Sequence, residues 1–124
     1  MLERSSDVNQ RNYVIMEISK TLEQIMALVK RREVMISDHG YDELAEDAIS
    51  VNDIMSGVAN GIVVEDYPDY FKGSCVLVLQ KDRQGNPIHA VWGIPKGSSS
   101  PAVLVTAYRP DPNRWSNDLM RRKQ

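Results

Sequence analysis

The stretch SCVLVLQKDRQGNPIHAVWGI, residues 74–94, decides the fold. Ser74 to Lys81 is rich in apolar and β-branched residues, and Pro87 to Ile94 answers it after a short polar break. The break, Asp82 to Asn86, contains Gly85 and reads as a hairpin connection. A link this short joins antiparallel neighbours. Side chains alternate across a strand, so Ile88, Ala90 and Trp92 share one face and Pro87, His89 and Val91 the other.

Downstream, KGSSS at 96–100 reads as a flexible loop and PAVLVTAYR at 101–109 as a further strand. Alternation puts Thr106 and Tyr108 on one face of it and assigns Val103, Val105 and Ala107 to the core face. Pro110 and Pro112 end the strand, and a short helix is expected from Trp115 to Arg122. Upstream of the hairpin, Ile62 to Glu65 reads as a strand and Tyr67 to Gly73 as a loop.

Earlier still, the period becomes helical. Val14, Ile18, Leu22, Ile25 and Val29 form one face of a helix spanning 13–30, which ends on Lys30, Arg31 and Arg32. Ser37 and Asp38 mark the start of a short helix through Asp47, with Tyr41, Leu44 and Ala45 buried. Ser50 with Asp53 approximates a capping box and opens a helix carrying Val51, Ile54, Met55 and Val58, which Asn60-Gly61 stops. The expected architecture is α+β: N-terminal helices packed on one face of a four-stranded, mostly antiparallel sheet, with a short C-terminal helix. Residues 1–12 read as a flexible tail and 13–124 as a single domain.

With 42% hydrophobic and 26% charged residues, the 124-residue chain has the composition of an ordinary globular domain rather than a disordered one. Cys75 is the sole cysteine, which excludes an internal disulfide and a cysteine-held zinc. No run approaches a membrane span, and the N-terminus lacks a signal-peptide pattern, so a cytoplasmic location is expected. Charge is divided along the chain: residues 33–70 carry ten acids and no Lys or Arg, while residues 71–124 carry nine bases and three acids. Such a split marks a binding face or two segments that neutralise each other in the fold.

Three segments, taken together, resemble a bacterial domain family of unknown function. They are ISDHGYDELAEDAIS at 36–50 with the following Asp53 and Ile54, VLVLQKDRQGNPIHAVW at 76–92, and VLVTAYRPDPNRW at 103–115. The family is grouped with the RelE-like and BrnT-like toxins and the wider barnase-like microbial ribonuclease fold, and the resemblance covers roughly residues 34–122. It implies the toxin half of a toxin–antitoxin pair, partnered by a zinc-finger or helix-turn-helix antitoxin and acting on RNA. The family's histidine at the start of the short helix is matched by His39; its arginines one and two turns later are replaced here by Glu43 and Asp47.

Metal-independent RNA cleavage needs a base for the 2′-hydroxyl, an acid for the leaving oxygen and cations for the phosphate. His39 is the first candidate acid or base, with His89 in reserve. Thr106 and Tyr108 are placed to orient a phosphate and Arg109 to neutralise it. Neither a glycine-rich nucleotide loop nor a full metal-ligand set is legible, so no cofactor and no metal are expected. The alternative is a non-enzymatic interaction module of the same fold, which binds a basic partner through the acidic face bearing Glu43 and Asp47. RNA target, ribosome dependence and oligomeric state are not legible.

Overall fold

The structure is a computed structural model and describes residues 19–124. The expected tail at 1–12 and the start of the first helix lie outside the described residues. Three helices and five strands follow: α1 (Lys20–Lys30), β1 (Val34–Ile36), α2 (Asp38–Glu46), α3 (Val51–Gly57, continued by a 3-10 turn over Val58–Asn60), β2 (Ile62–Tyr67), β3 (Cys75–Lys81), β4 (Pro87–Gly93) and β5 (Ala102–Tyr108). The sheet order is β1-β5-β4-β3-β2.

The expected hairpin is present, with Leu79 opposite His89 and Val76 opposite Trp92. Its turn is tied by Asp82, whose carboxylate accepts from the backbone N–H groups of Gln84 and Asn86 at 2.9 and 2.8 Å. The sheet is mixed rather than antiparallel throughout, because β1 pairs in parallel with β5. That fifth strand escapes sequence reading: three residues between two helices show no period, and their partners lie almost seventy positions away.

All three helices begin on serine. The hydroxyls of Ser19, Ser37 and Ser50 accept from the N–H of Leu22, Gly40 and Asp53, satisfying donors that the helix itself leaves unpaired. Ser50 also donates to the Asp53 carboxylate at 2.9 Å, so the expected capping box closes side chain to side chain. In α2 only Leu44 of the expected apolar trio is buried; Tyr41 and Ala45 face solvent. The helix lies so close to β5 that a β-carbon on Gly40 would stand 2.9 Å from the Leu104 carbonyl, and this contact sets the buried face at Gly40 and Leu44.

One face of the sheet meets the helices. Val76, Val78, Ile88, Ala90, Trp92, Leu104 and Ala107 pack there against Leu22, Ile25, Leu28, Leu44, Ile54 and Val58. Inside this layer the Trp92 indole N–H donates to Gln80 Oε1 at 2.8 Å, and Gln80 Nε2 donates to the Ile54 carbonyl at 3.0 Å.

On β5 the side chains do not keep the simple alternation that put Val103, Val105 and Ala107 on the core face. Val91 stands opposite Thr106 but Trp92 opposite Leu104, so Val105 is an extra, bulged residue. Ala102, Leu104 and Ala107 therefore face the core, while Val103 and Val105 turn to the helix-free face with Thr106 and Tyr108. The C-terminal helix is also absent. Residues 111–124 form a tight reversal, in which Ser116 N–H donates to the Arg121 carbonyl and Lys123 N–H to the Arg114 carbonyl, each at 2.8 Å. Trp115 bridges to Arg122, and Leu119 makes the turn with φ of 64°. Among the described residues no helix is long and apolar enough to cross a membrane.

The loop between β2 and β3 closes through Gly73, at φ of 122°, where a β-carbon would collide with the Ile94 carbonyl. Gly73→Ala is expected to destabilise the domain by about 1–3 kcal/mol through that strain, read as a lowered thermal midpoint.

Candidate functional site

His89 rises from the helix-free face of β4 and is completely buried, because the C-terminal reversal lies over it. Its Nε2 is 2.9 Å from the Leu119 carbonyl, and the Trp115 ring stands edge-on at 4.4 Å between centroids. A carbonyl only accepts, so Nε2 carries the proton and Nδ1 is the acceptor. Tyr108, opposite His89 on β5, places its hydroxyl 3.3 Å from that Nδ1. The phenol therefore donates inward to His89 and keeps its oxygen lone pairs for the surface. Burial pushes the His89 imidazole below its usual value and the Tyr108 phenol above its own. The pair rests as neutral imidazole and intact phenol.

Unfolded, the imidazole of His89 binds a proton near its ordinary value of 6.5; folded, it does so only at lower pH. Between those two values the unfolded chain takes up a proton that the folded chain refuses, so stability falls as the pH drops through the window. Chemical denaturation of the wild type should show this loss, and a His89→Gln variant should lack that component. Equal slopes would mean that His89 charges freely in the fold.

Tyr108 forms part of the wall of a cleft of ≈ 560 Å³, together with Arg109, Arg114, Arg122, Lys123 and the single acid Asp111. Arg122 lies 4.8 Å above the Trp115 ring and donates twice to the Glu65 carboxylate on β2, at 3.0 and 3.2 Å. That partnership holds Glu65 below the usual carboxylate range and ties the reversal to the sheet edge. Arg109 is engaged as well: its guanidinium meets Asp82 at 3.0 Å and the Pro87 carbonyl at 3.3 Å, and its backbone N–H donates to Asp47 at 2.8 Å. Asp47, at the end of α2, thus caps the end of β5. Arg114 and Lys123 are exposed, and among the described residues neither is in an ion pair.

The five residues singled out from sequence do not all meet. His89 and Tyr108 touch; Thr106 lies one residue pair along the same face, opposite Val91; Arg109 borders the cleft. His39 stands apart, exposed near the start of α2 on the core side of the sheet. Trp115 and Glu65 complete the site without having been candidates. Glu65 had no local signal, since its arginine lies 57 positions away. Among the described residues, no three of His, Cys, Asp and Glu form a group suited to a metal ion.

A family model described as a domain of unknown function, DUF4258, matches residues 36–109. The chain belongs to the DUF4258 family. No curated protein and no solved structure gives a significant match. The DUF4258 match encloses His39, His89, Thr106, Tyr108 and Arg109 but ends before Trp115. In this DUF4258 domain the residues that bury His89 therefore come from beyond the matched segment.

Proposed function

We propose that this DUF4258 domain is a RelE/BrnT-like toxin-family domain that cleaves RNA without a metal, at the cleft beside Tyr108. The observation that carries the reading is the Tyr108 hydroxyl, hydrogen-bonded inward to neutral His89 and lining a cleft with four cationic side chains. Arg114 and Lys123 bring a phosphate to the cleft, and Arg122 stands next to them. The ribose 2′-hydroxyl passes its proton to the Tyr108 oxygen as Tyr108 passes its own to His89 Nδ1. The 2′-oxygen forms its bond to phosphorus, the bond to the 5′-oxygen breaks, that oxygen takes a proton from water, and His89 returns its proton through Tyr108 to the hydroxide so formed. The products are a 2′,3′-cyclic phosphate and a 5′-hydroxyl. His89, Tyr108 and the cleft cations replace the expected scheme centred on His39, and Arg109 positions the end of β5. An antitoxin-type partner would act by covering this cleft.

The alternative, a binding module, draws on α2. Asp38, Asp42 and Glu46 are exposed and, among the described residues, belong to no ion pair, whereas Asp53 and Glu65 of the same acidic segment are neutralised by Arg83 and Arg122. The deciding experiment incubates the purified chain with mixed RNA in chelator, with and without ribosomes. Cyclic-phosphate products, reduced by Arg114→Glu with Lys123→Glu, support the enzyme. RNA left both uncut and unbound in each setting would leave the acidic face as the working surface.

A further inference from the structure

The helix-free face holds a second cavity, of ≈ 600 Å³, further along β4 from the cleft. Tyr67, Tyr70, Val91, Gly93, Val103 and Val105 line it, so its walls are aromatic and its floor is aliphatic or bare backbone. The end of β2 and the loop after it carry aromatic side chains into solvent: Tyr67 is 48% exposed, Tyr70 44% and Phe71 67%. Tyr70 and Phe71 are in contact, with centroids 4.8 Å apart, and the Lys72 ammonium lies 5.7 Å from the Phe71 ring. Burial explains none of these rings, and an aromatic cluster with a cation at its rim is what a stacking platform for nucleobases requires.

The cavity is also joined to the cleft. The Tyr67 hydroxyl donates to Glu65 at 3.1 Å, and Glu65 is the carboxylate that holds Arg122. Along β4 the path runs from His89 through Val91 to Gly93, roughly 13 Å of strand, a distance that a few nucleotides cover. The bulge at Val105 builds this arrangement, because it turns both Val103 and Val105 to the same face as Tyr108.

We infer that this cavity is a nucleobase-binding subsite for single-stranded RNA whose phosphates lie in the cleft beside Tyr108. The inference rests on the RNA reading of that cleft. The lining offers few fixed polar groups, so the subsite takes the base by stacking and apolar contact and discriminates little between bases. It sets the register of the strand relative to Tyr108.

The test uses a fluorescent 2′-O-methyl oligoadenylate hexamer, which cannot be cleaved, and a series in which one position at a time is abasic. Loss of the base that occupies the cavity should weaken binding roughly tenfold. Tyr70→Ala should weaken binding of the intact hexamer similarly and have no effect on the abasic hexamer that already lacks that base. Gly93→Val, where the β-carbon itself meets nothing closer than 3.5 Å, adds methyl groups to the floor and should act in the same way. The double charge reversal at Arg114 and Lys123 is the control for the cleft. If that reversal weakens binding while every abasic hexamer and both cavity variants bind as before, the nucleobase inference is overturned and the cleft reading stands; the cavity would then suit an apolar protein side chain. If the reversal also has no effect, or the wild type does not bind RNA, both fall.

Discussion

Tyr108→Phe is expected to lower RNA cleavage by on the order of 100-fold or more while changing RNA affinity by no more than about twofold. The substitution deletes one oxygen and keeps the ring. Among the described residues, that oxygen alone links the cleft to His89 Nδ1, which is 3.3 Å behind it on a completely buried side chain. Without the phenol, a 2′-hydroxyl has no acceptor positioned by the imidazole, whereas the cations that hold the phosphate are unchanged. A loss confined to turnover is therefore the signature of proton transfer, and an equal loss of affinity would reduce Tyr108 to a binding contact. His39→Ala, assayed in parallel, should leave cleavage intact, since His39 sits near the start of α2 across the sheet from Tyr108. Loss of cleavage in the His39 variant with retention in Tyr108→Phe would overturn this assignment of roles.

Trp92→Ala is expected to cost about 3–5 kcal/mol, a large part of the 5–15 kcal/mol that holds a typical domain folded. Trp92 is fully buried at the centre of the sheet, between Val76 and Leu104 on the neighbouring strands. Its removal opens a cavity and also strips Gln80 Oε1 of its donor, at a site buried from solvent. Trp92→Phe separates the two contributions: it keeps much of the volume and leaves the amide oxygen unpaired, a loss of about 1–3 kcal/mol. Urea denaturation should rank wild type above Trp92→Phe above Trp92→Ala. Equal stability of the two variants would show that the hydrogen bond, rather than the filled volume, dominates.

Most of the elements were legible because their signals are local. The hairpin over 74–94 follows from period two on either side of Gly85; α1 follows from its apolar spacing, and α2 and α3 from Ser37 and Ser50 as caps, whereas the Ser19 cap of α1 emerged only in the structure. The alternation that placed His89 opposite Ile88, Ala90 and Trp92 also holds. The same counting fails on β5, because a bulge inserts Val105 and shifts the parity of every residue before it. It fails again after Pro112, where residues compatible with a helix are recruited into a reversal by Trp115 seating on His89.

The sequence by itself determined an α+β chain with serine-capped helices and a central hairpin, and it named Tyr108 and both histidines as groups to watch. Only the tertiary structure decided which of them work together. It set His89 against Tyr108 and beneath the Leu119 carbonyl, brought Glu65 to Arg122 across 57 positions, joined Asp47 to Arg109 across 62, and put His39 on α2, across the sheet from that pair. The physical reason is range. Caps, turns and periodic burial are settled between residues a few positions apart, whereas the surroundings of a side chain in this site are assembled by pairings that close loops of dozens of residues and leave no mark in the local pattern.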